Sequence, residues 1–238
     1  MTHKQIDAKI IAKMKTWFAL LLLIASAACA PDTTATPSAR TAPVPTARPA
    51  TPTLAYSSAI ATVANRPNLD FGTRIALAAE KQVGVTTIYD AQYVRLAYPN
   101  GDVPLERGVC TDVVIRAFRA VGIDLQVYLH QDMARNFSVY PRDWGMTAPD
   151  ANIDHRRVQN LSTYFTRAGK LINNLADESW KPGDIAVWRI DSWMQHIGIV
   201  AADRVEGTNR YYVVHNVGSG THKEDALHWF TLIGHYRW

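Results

Sequence analysis

Trp180-Lys181-Pro182-Gly183-Asp184-Ile185-Ala186-Val187-Trp188-Arg189-Ile190 is where the apolar pattern of the chain changes period. Before it, apolar residues recur every three or four positions. From Asp184 onward, strand-length runs rich in Val, Ile, Trp and Tyr take over, at Asp184 to Ile190, His196 to Ala202, Tyr211 to Val217 and His228 to Tyr236. Pro182-Gly183 and Glu206-Gly207-Thr208-Asn209 supply turns. Helices first and an antiparallel meander second describe an α+β domain.

Working back towards the N-terminus, Cys110 to Val121 carries Val113, Val114, Ala117, Phe118 and Val121 on one face and stops at Gly122. The sheet is expected to pack on this helix. A similar pattern predicts a helix from Leu69 to Val83 before Gly84, and two more run from Asp124 to Asn136 and from Asp154 to Ala168 before Gly169. Tyr89 to Leu96 reads as a short strand, followed by a turn at Tyr98-Pro99-Asn100-Gly101-Asp102.

The first 66 residues have another character. They hold seven Lys/Arg against two Asp/Glu, whereas residues 67–238 hold 18 against 19, so the overall charge of +4 comes from the N-terminal part. The folded part offers no electrostatic footprint for nucleic acid, and no nucleic-acid partner is expected. Trp17 to Ala28 is an apolar run behind Lys9, Lys13 and Lys15, short for a membrane span but suited to a secretory signal. Met14 would also serve as a start. Ser26-Ala27-Ala28-Cys29 resembles the lipobox of bacterial lipoproteins, and a lipid on Cys29 would anchor the chain to a membrane. The alternative is ordinary cleavage after Ala25-x-Ala27, with Cys29 incidental. Between Pro31 and Thr53, 18 of 23 residues are Pro, Thr or Ala, too few large apolar groups to offset ordering entropy. The expected organisation is a signal segment at 1–29, a disordered tether at 30–66 and a folded domain at 67–238. The product would be exported to the cell envelope, as a lipoprotein if Cys29 is acylated.

Only two cysteines occur, Cys29 and Cys110, which excludes a disulfide framework and a four-cysteine zinc site. Cys110 opens a helix, where unpaired backbone N–H groups favour negative charge, so a lowered thiol pKa and a nucleophilic role are expected. A buried structural thiol is the other interpretation. A nucleophile needs a base, and His196 and His215 fall on adjacent predicted strands, with Gly198 allowing close approach.

In this order Gly108-Val109-Cys110-Thr111-Asp112, Pro182-Gly183-Asp184-Ile185, His196-Ile197-Gly198-Ile199-Val200 and Val214-His215 resemble the NlpC/P60 and CHAP group of papain-like cysteine peptidases and amidases. Within that group, the stretch from about Asp70 to Arg237 resembles the bacterial family called domain of unknown function 1287. Asn152-Ile153-Asp154-His155-Arg156-Arg157, His215-Asn216-Val217-Gly218 and Gly234-His235-Tyr236-Arg237 carry that closer likeness. The resemblance implies a papain-like core, with Cys110 attacking an amide carbonyl, His196 as general base and His215 orienting His196. Asn216 is the alternative orienting residue. Many NlpC/P60 members have Asp-Cys-Ser-Gly where this chain has Val109-Cys110-Thr111-Asp112.

Asp112, Asp154, His155 and Arg156 are candidate substrate-binding groups, Asp112 having structural support as its other role. Arg156-Arg157 would suit a carboxylate, which peptidoglycan stem peptides supply. The competing role is a solvated helix start paired with Asp150 and Asp154. His130-x-Asp132 and Asp154-His155 raise zinc as a minor alternative, but neither His-Glu-x-x-His nor a cysteine pair accompanies them, and no metal or cofactor is expected. The expected partner is peptidoglycan or a peptide substrate. Acyl transfer on the same scaffold and a non-catalytic envelope-binding module are the alternatives.

Overall fold

The computed structural model describes residues 66–238. The expected signal segment, the lipobox at Cys29 and nearly all of the expected tether lie outside the described residues.

Helix α1 spans Phe71–Glu80 and begins where Asp70 accepts hydrogen bonds from the Thr73 N–H at 2.9 Å and the Thr73 hydroxyl at 2.6 Å. Strands β1 (Ile88–Tyr89) and β2 (Arg107–Gly108) form a short parallel pair. The strand expected at Tyr89 to Leu96 is therefore confined to its first residue. Beyond it, the backbone is satisfied by side chains: the Leu96 N–H donates to Asn152 Oδ1 at 2.8 Å, and Arg156 donates to the Asp90 and Gln92 carbonyls.

Helix α2 (Cys110–Ala120) is buried from Cys110 to Phe118, and Gly122 follows its end at φ 90°. Helix α3 (Leu125–Asn136) starts at Asp124, whose carboxylate accepts from the Gln126 N–H. The single helix expected from Asp154 to Ala168 is broken. A 3₁₀ turn at Asp154–Arg156 precedes α4 (Val158–Arg167), with Arg157 extended between them at φ −110°, ψ 122°. The Asp154 carbonyl accepts from Asn160 Nδ2, and Arg156 reaches back to α2.

Five strands make the main sheet: β3 (Ile185–Arg189), β4 (Gln195–Arg204), β5 (Tyr211–Asn216), β6 (Thr221–Glu224) and β7 (Thr231–Tyr236). The architecture is α+β, and every pair in this sheet is antiparallel, in the order β6-β5-β4-β3-β7. The meander is thus corrected in two ways. Thr221-His222-Lys223-Glu224 forms an edge strand that the sequence pattern hides, because it has no apolar side chain. The last strand also crosses to the far edge and pairs with β3.

Both faces of the sheet are covered. Ile185, Val187, Ile197, Ile199 and Val214 pack with α1, α2 and α4, as expected for the Cys110 helix. On the other face Trp188, Val200 and Val213 pack with Trp180 and with Ala226 and Leu227, between β6 and β7. The turn into β3 explains Pro182-Gly183-Asp184. Gly183 has φ 82°, and a Cβ there would lie 2.1 Å from the Gly72 carbonyl oxygen. Asp184, fully buried, accepts from the Lys181 N–H and meets His235 Nε2 at 2.7 Å and Arg237 at 2.6 Å.

Candidate active site

Val109, the residue before Cys110, is extended and has no side-chain oxygen with which to cap α2. Asp112 supplies the reciprocal contact, accepting from the Val109 N–H at 2.7 Å. Its two oxygens also receive Arg156 Nε and Nη2 at 2.9 and 3.0 Å, and both side chains are almost wholly buried. Burial pushes the Asp112 carboxyl up, but the Arg156 guanidinium outweighs it and holds the pKa below the ordinary carboxylate value. Arg156 spends its remaining donors on the Gln92 and Asp90 carbonyls. Two of the four expected substrate groups are thus engaged in fixing the start of α2 against the loop after β1.

The other two, Asp154 and His155, are buried. Asp154 accepts from the Asp150 N–H and from Arg157, and burial raises its pKa to about 6. His155 is pushed down to about 4 by burial, and its Nδ1 has no hydrogen-bond partner. Of the four, Arg156 alone borders the cleft described below. Among the described residues, no group of three or more His, Cys, Asp or Glu side chains is placed to hold a metal ion.

The thiol of Cys110 is buried, and burial raises its pKa to about 12. Backbone N–H groups of Ile197, Thr111 and Cys110 itself act in the opposite direction. The expected lowering at a helix start is therefore corrected: the N–H groups are in place, but desolvation of the sulfur outweighs them. Burial thus favours the neutral thiol at Cys110.

His196 and His215 meet as the sequence suggested, with His196 Nε2 2.8 Å from His215 Nδ1. Gly198 permits this, since a Cβ there would lie 2.8 Å from Val213 Cγ1 and 3.1 Å from His215 Cβ. The pair stands on the sheet face of Trp188 and Val213, His196 lying 5.5 Å from the Trp188 ring and His215 5.5 Å from Trp229. Burial, aided by His215, keeps His196 neutral far below its ordinary pKa. Ile197, the next residue of β4, turns its side chain to the α2 face and packs in the same core as Cys110. Among the described residues, no hydrogen bond joins Cys110 directly to His196.

Asn216 is not at the orienting position. Its Nδ2 donates to the Gly108 carbonyl at 3.1 Å, and its Oδ1 accepts from the Gly218 and Gly220 N–H groups. It ties the β5–β6 turn to the residues before Cys110. One neighbour was missed in the sequence: Glu224 Oε2 lies 3.2 Å from His215 Nε2, off the alignment of a hydrogen bond. A glycine-rich turn at Gly218-Ser219-Gly220 was the signal that could have revealed its returning strand.

Cys110 borders a cleft of about 670 Å³ that is also lined by Tyr89, Trp144, Arg157, Gln159 and Trp193. The Arg157 guanidinium lies 4.2 Å from the ring of Trp144. Trp193, exposed on the β3–β4 connection, is held in a turn in which Asp191 Oδ1 accepts from the Trp193 and Met194 N–H groups.

No solved structure matches the chain. It is 48% identical over 169 residues to the Uncharacterized protein YijF of Escherichia coli (strain K12), an alignment spanning 70% of this chain and 82% of that protein. The model of the family described as Domain of unknown function (DUF1287) matches residues 76–238, which include Cys110, both histidines and Glu224. The chain belongs to the DUF1287 family.

Proposed function

We propose that this protein is an exported cysteine hydrolase of the cell envelope that cleaves an amide bond in peptidoglycan, within the stem peptide or at its junction with the glycan. The observation that carries this is the position of Cys110, at the start of α2 and bordering an open cleft. The resemblance of the Cys110, His196 and His215 motifs to the papain-like NlpC/P60 group supports the same assignment. The neutral thiol and neutral imidazole imply that proton transfer accompanies attack. As the sulfur bonds to the carbonyl carbon, its proton passes to His196 Nδ1, the ring nitrogen not engaged by His215, and later goes to the leaving amine. Cys110 packs with the α2 face of the sheet and His196 stands on the Trp188 face, outside the lining of the cleft, so this transfer requires the β4–β5 pair to shift and bring the two together when substrate binds. Backbone N–H groups at the start of α2 are the natural donors to the oxyanion.

The signal segment at 1–29 and a lipid on Cys29 would place the enzyme at the membrane, beside peptidoglycan as the nearest abundant amide polymer. Aromatic walls interleaved with Gln and Arg suit glycan and peptide contact. The test is mass analysis of muropeptides after incubation with the full chain. Hydrolysis adds one water and exposes a new amine, whereas acyl transfer on the same scaffold gives a new ester or amide.

The buried, protonated thiol favours a second reading, a non-catalytic envelope-binding module. That module would retain peptidoglycan binding, and would form no product, whether residue 110 is Cys or Ser.

A further inference from the structure

The two bonded histidines present a choice of tautomer. One proton lies between His196 Nε2 and His215 Nδ1, and the site works only if it belongs to His196. A neutral His196 that carries hydrogen on Nε2 has a lone pair on Nδ1 and can take the thiol proton. With the hydrogen on His215 Nδ1 instead, His196 Nε2 must accept it, and the His196 proton then occupies Nδ1 and blocks it. Whatever stands at the far nitrogen of His215 therefore selects the competent form.

That far nitrogen faces Glu224, the last residue of the edge strand β6. His215 is paired across the β5–β6 ladder with His222, so Glu224 is its diagonal neighbour on the same face. The other charged groups nearby are committed elsewhere. Lys223 reaches Asp203 and Glu80, and His222 Nε2 meets the Ser219 hydroxyl and carbonyl. The contact with His215 is also the main influence that holds the Glu224 carboxyl below its ordinary range.

We propose that Glu224 is a positioning residue that keeps the hydrogen of His215 on Nε2, so that His215 Nδ1 accepts from His196 Nε2 and His196 Nδ1 is left as the base. During attack the S–H bond of Cys110 breaks and an N–H bond forms at His196 Nδ1. No proton moves along the His196–His215–Glu224 line, and the carboxylate stabilises the imidazolium through His215. This rests on the catalytic assignment of Cys110, His196 and His215 proposed above.

The experiment uses the ¹⁵N-histidine-labelled full chain at neutral pH, with two-bond ¹H–¹⁵N correlations reporting the tautomer of each ring. Two variants are compared, Glu224→Val, which suits an edge strand, and Glu224→Gln, which keeps an acceptor oxygen without the charge. The expected result is Nε2–H at both His196 and His215 in the wild type, largely retained with Gln, and a shift toward Nδ1–H at His215 with Val. On muropeptides, kcat is expected to fall about tenfold or more with Val, to recover partly with Gln, and to leave KM unchanged, as for loss of tautomer control in other triads. Unchanged tautomers in Glu224→Val overturn the proposal. Tautomers that follow Glu224 in a wild type without hydrolytic activity support this arrangement while removing the hydrolase assignment. An active enzyme whose tautomers and kcat ignore Glu224 does the reverse.

Discussion

Arg156 grips Asp112 through two parallel hydrogen bonds, and Asp112 in turn holds the N–H of the residue before Cys110. An arginine that looks from sequence like a clamp for substrate carboxylate is, in the fold, the support of the helix that Cys110 opens. Breaking a buried pair leaves an uncompensated charge, at a cost of about 3–5 kcal/mol. Arg156→Met is accordingly expected to lower the denaturant midpoint steeply. Arg156→Lys, unable to form both bonds, is expected to recover only part of the loss. Equal stability of Arg156→Met and wild type would remove this support role.

Gly198 is the position where β4 and β5 have no room for a side chain, with Val213 Cγ1 and His215 Cβ both within 3.1 Å of a built Cβ. Overpacking of this kind costs about 1–3 kcal/mol. Gly198→Ala is expected to destabilise the fold by that order and to separate the histidine pair. Its check is the melting temperature together with the His196 ring signals, which the substitution should shift.

Asp154 and His155 give opposite pH signatures. His155, lowered to about 4 from the ordinary 6.5, contributes stability present above the unfolded value and lost as pH falls through the folded one. Asp154, raised to about 6 from 3.8, contributes stability that is full below 3.8 and is lost as pH rises through about 6. Between pH 6.5 and 4 the two oppose each other. His155→Phe is expected to make unfolding less sensitive to acid in that window, and Asp154→Asn more sensitive. Denaturant titrations at several pH values measure both slopes, and identical slopes in all three proteins would contradict the assignment.

The resting thiol offers a spectroscopic check. With a pKa of about 12, Cys110 should show no thiolate absorbance near 240 nm up to about pH 9 when Cys110→Ser is subtracted from wild type. A step in the acid range would instead mean a preformed thiolate and imidazolium pair.

Much of this was legible in the chain, and what was not has identifiable causes. The helices at Cys110 and Asp124 and four strands follow from apolar period and capping residues, because local pattern and tertiary burial agree there. Strand β6 escaped notice because an edge strand needs ladder partners rather than an apolar face, and Glu224 was hidden with it. The break at Arg157 was invisible because its cause is distant: Arg156 pairs with a residue 44 positions away. The His196–His215 contact was readable from two strand-borne histidines and a glycine. The high pKa of Cys110 was not, since helix position is a local property whereas desolvation depends on the whole core.

Whether Cys110 is acylated by substrate is read from intact-protein mass after mixing the full chain with a soluble stem-peptide muropeptide and quenching in acid. A transient gain equal to the acyl half of the substrate is expected, mapped to Cys110, absent in Cys110→Ala and strongly slowed in His196→Ala. Cleavage that continues in Cys110→Ala would contradict it, as would the absence of product and adduct alike in the wild type.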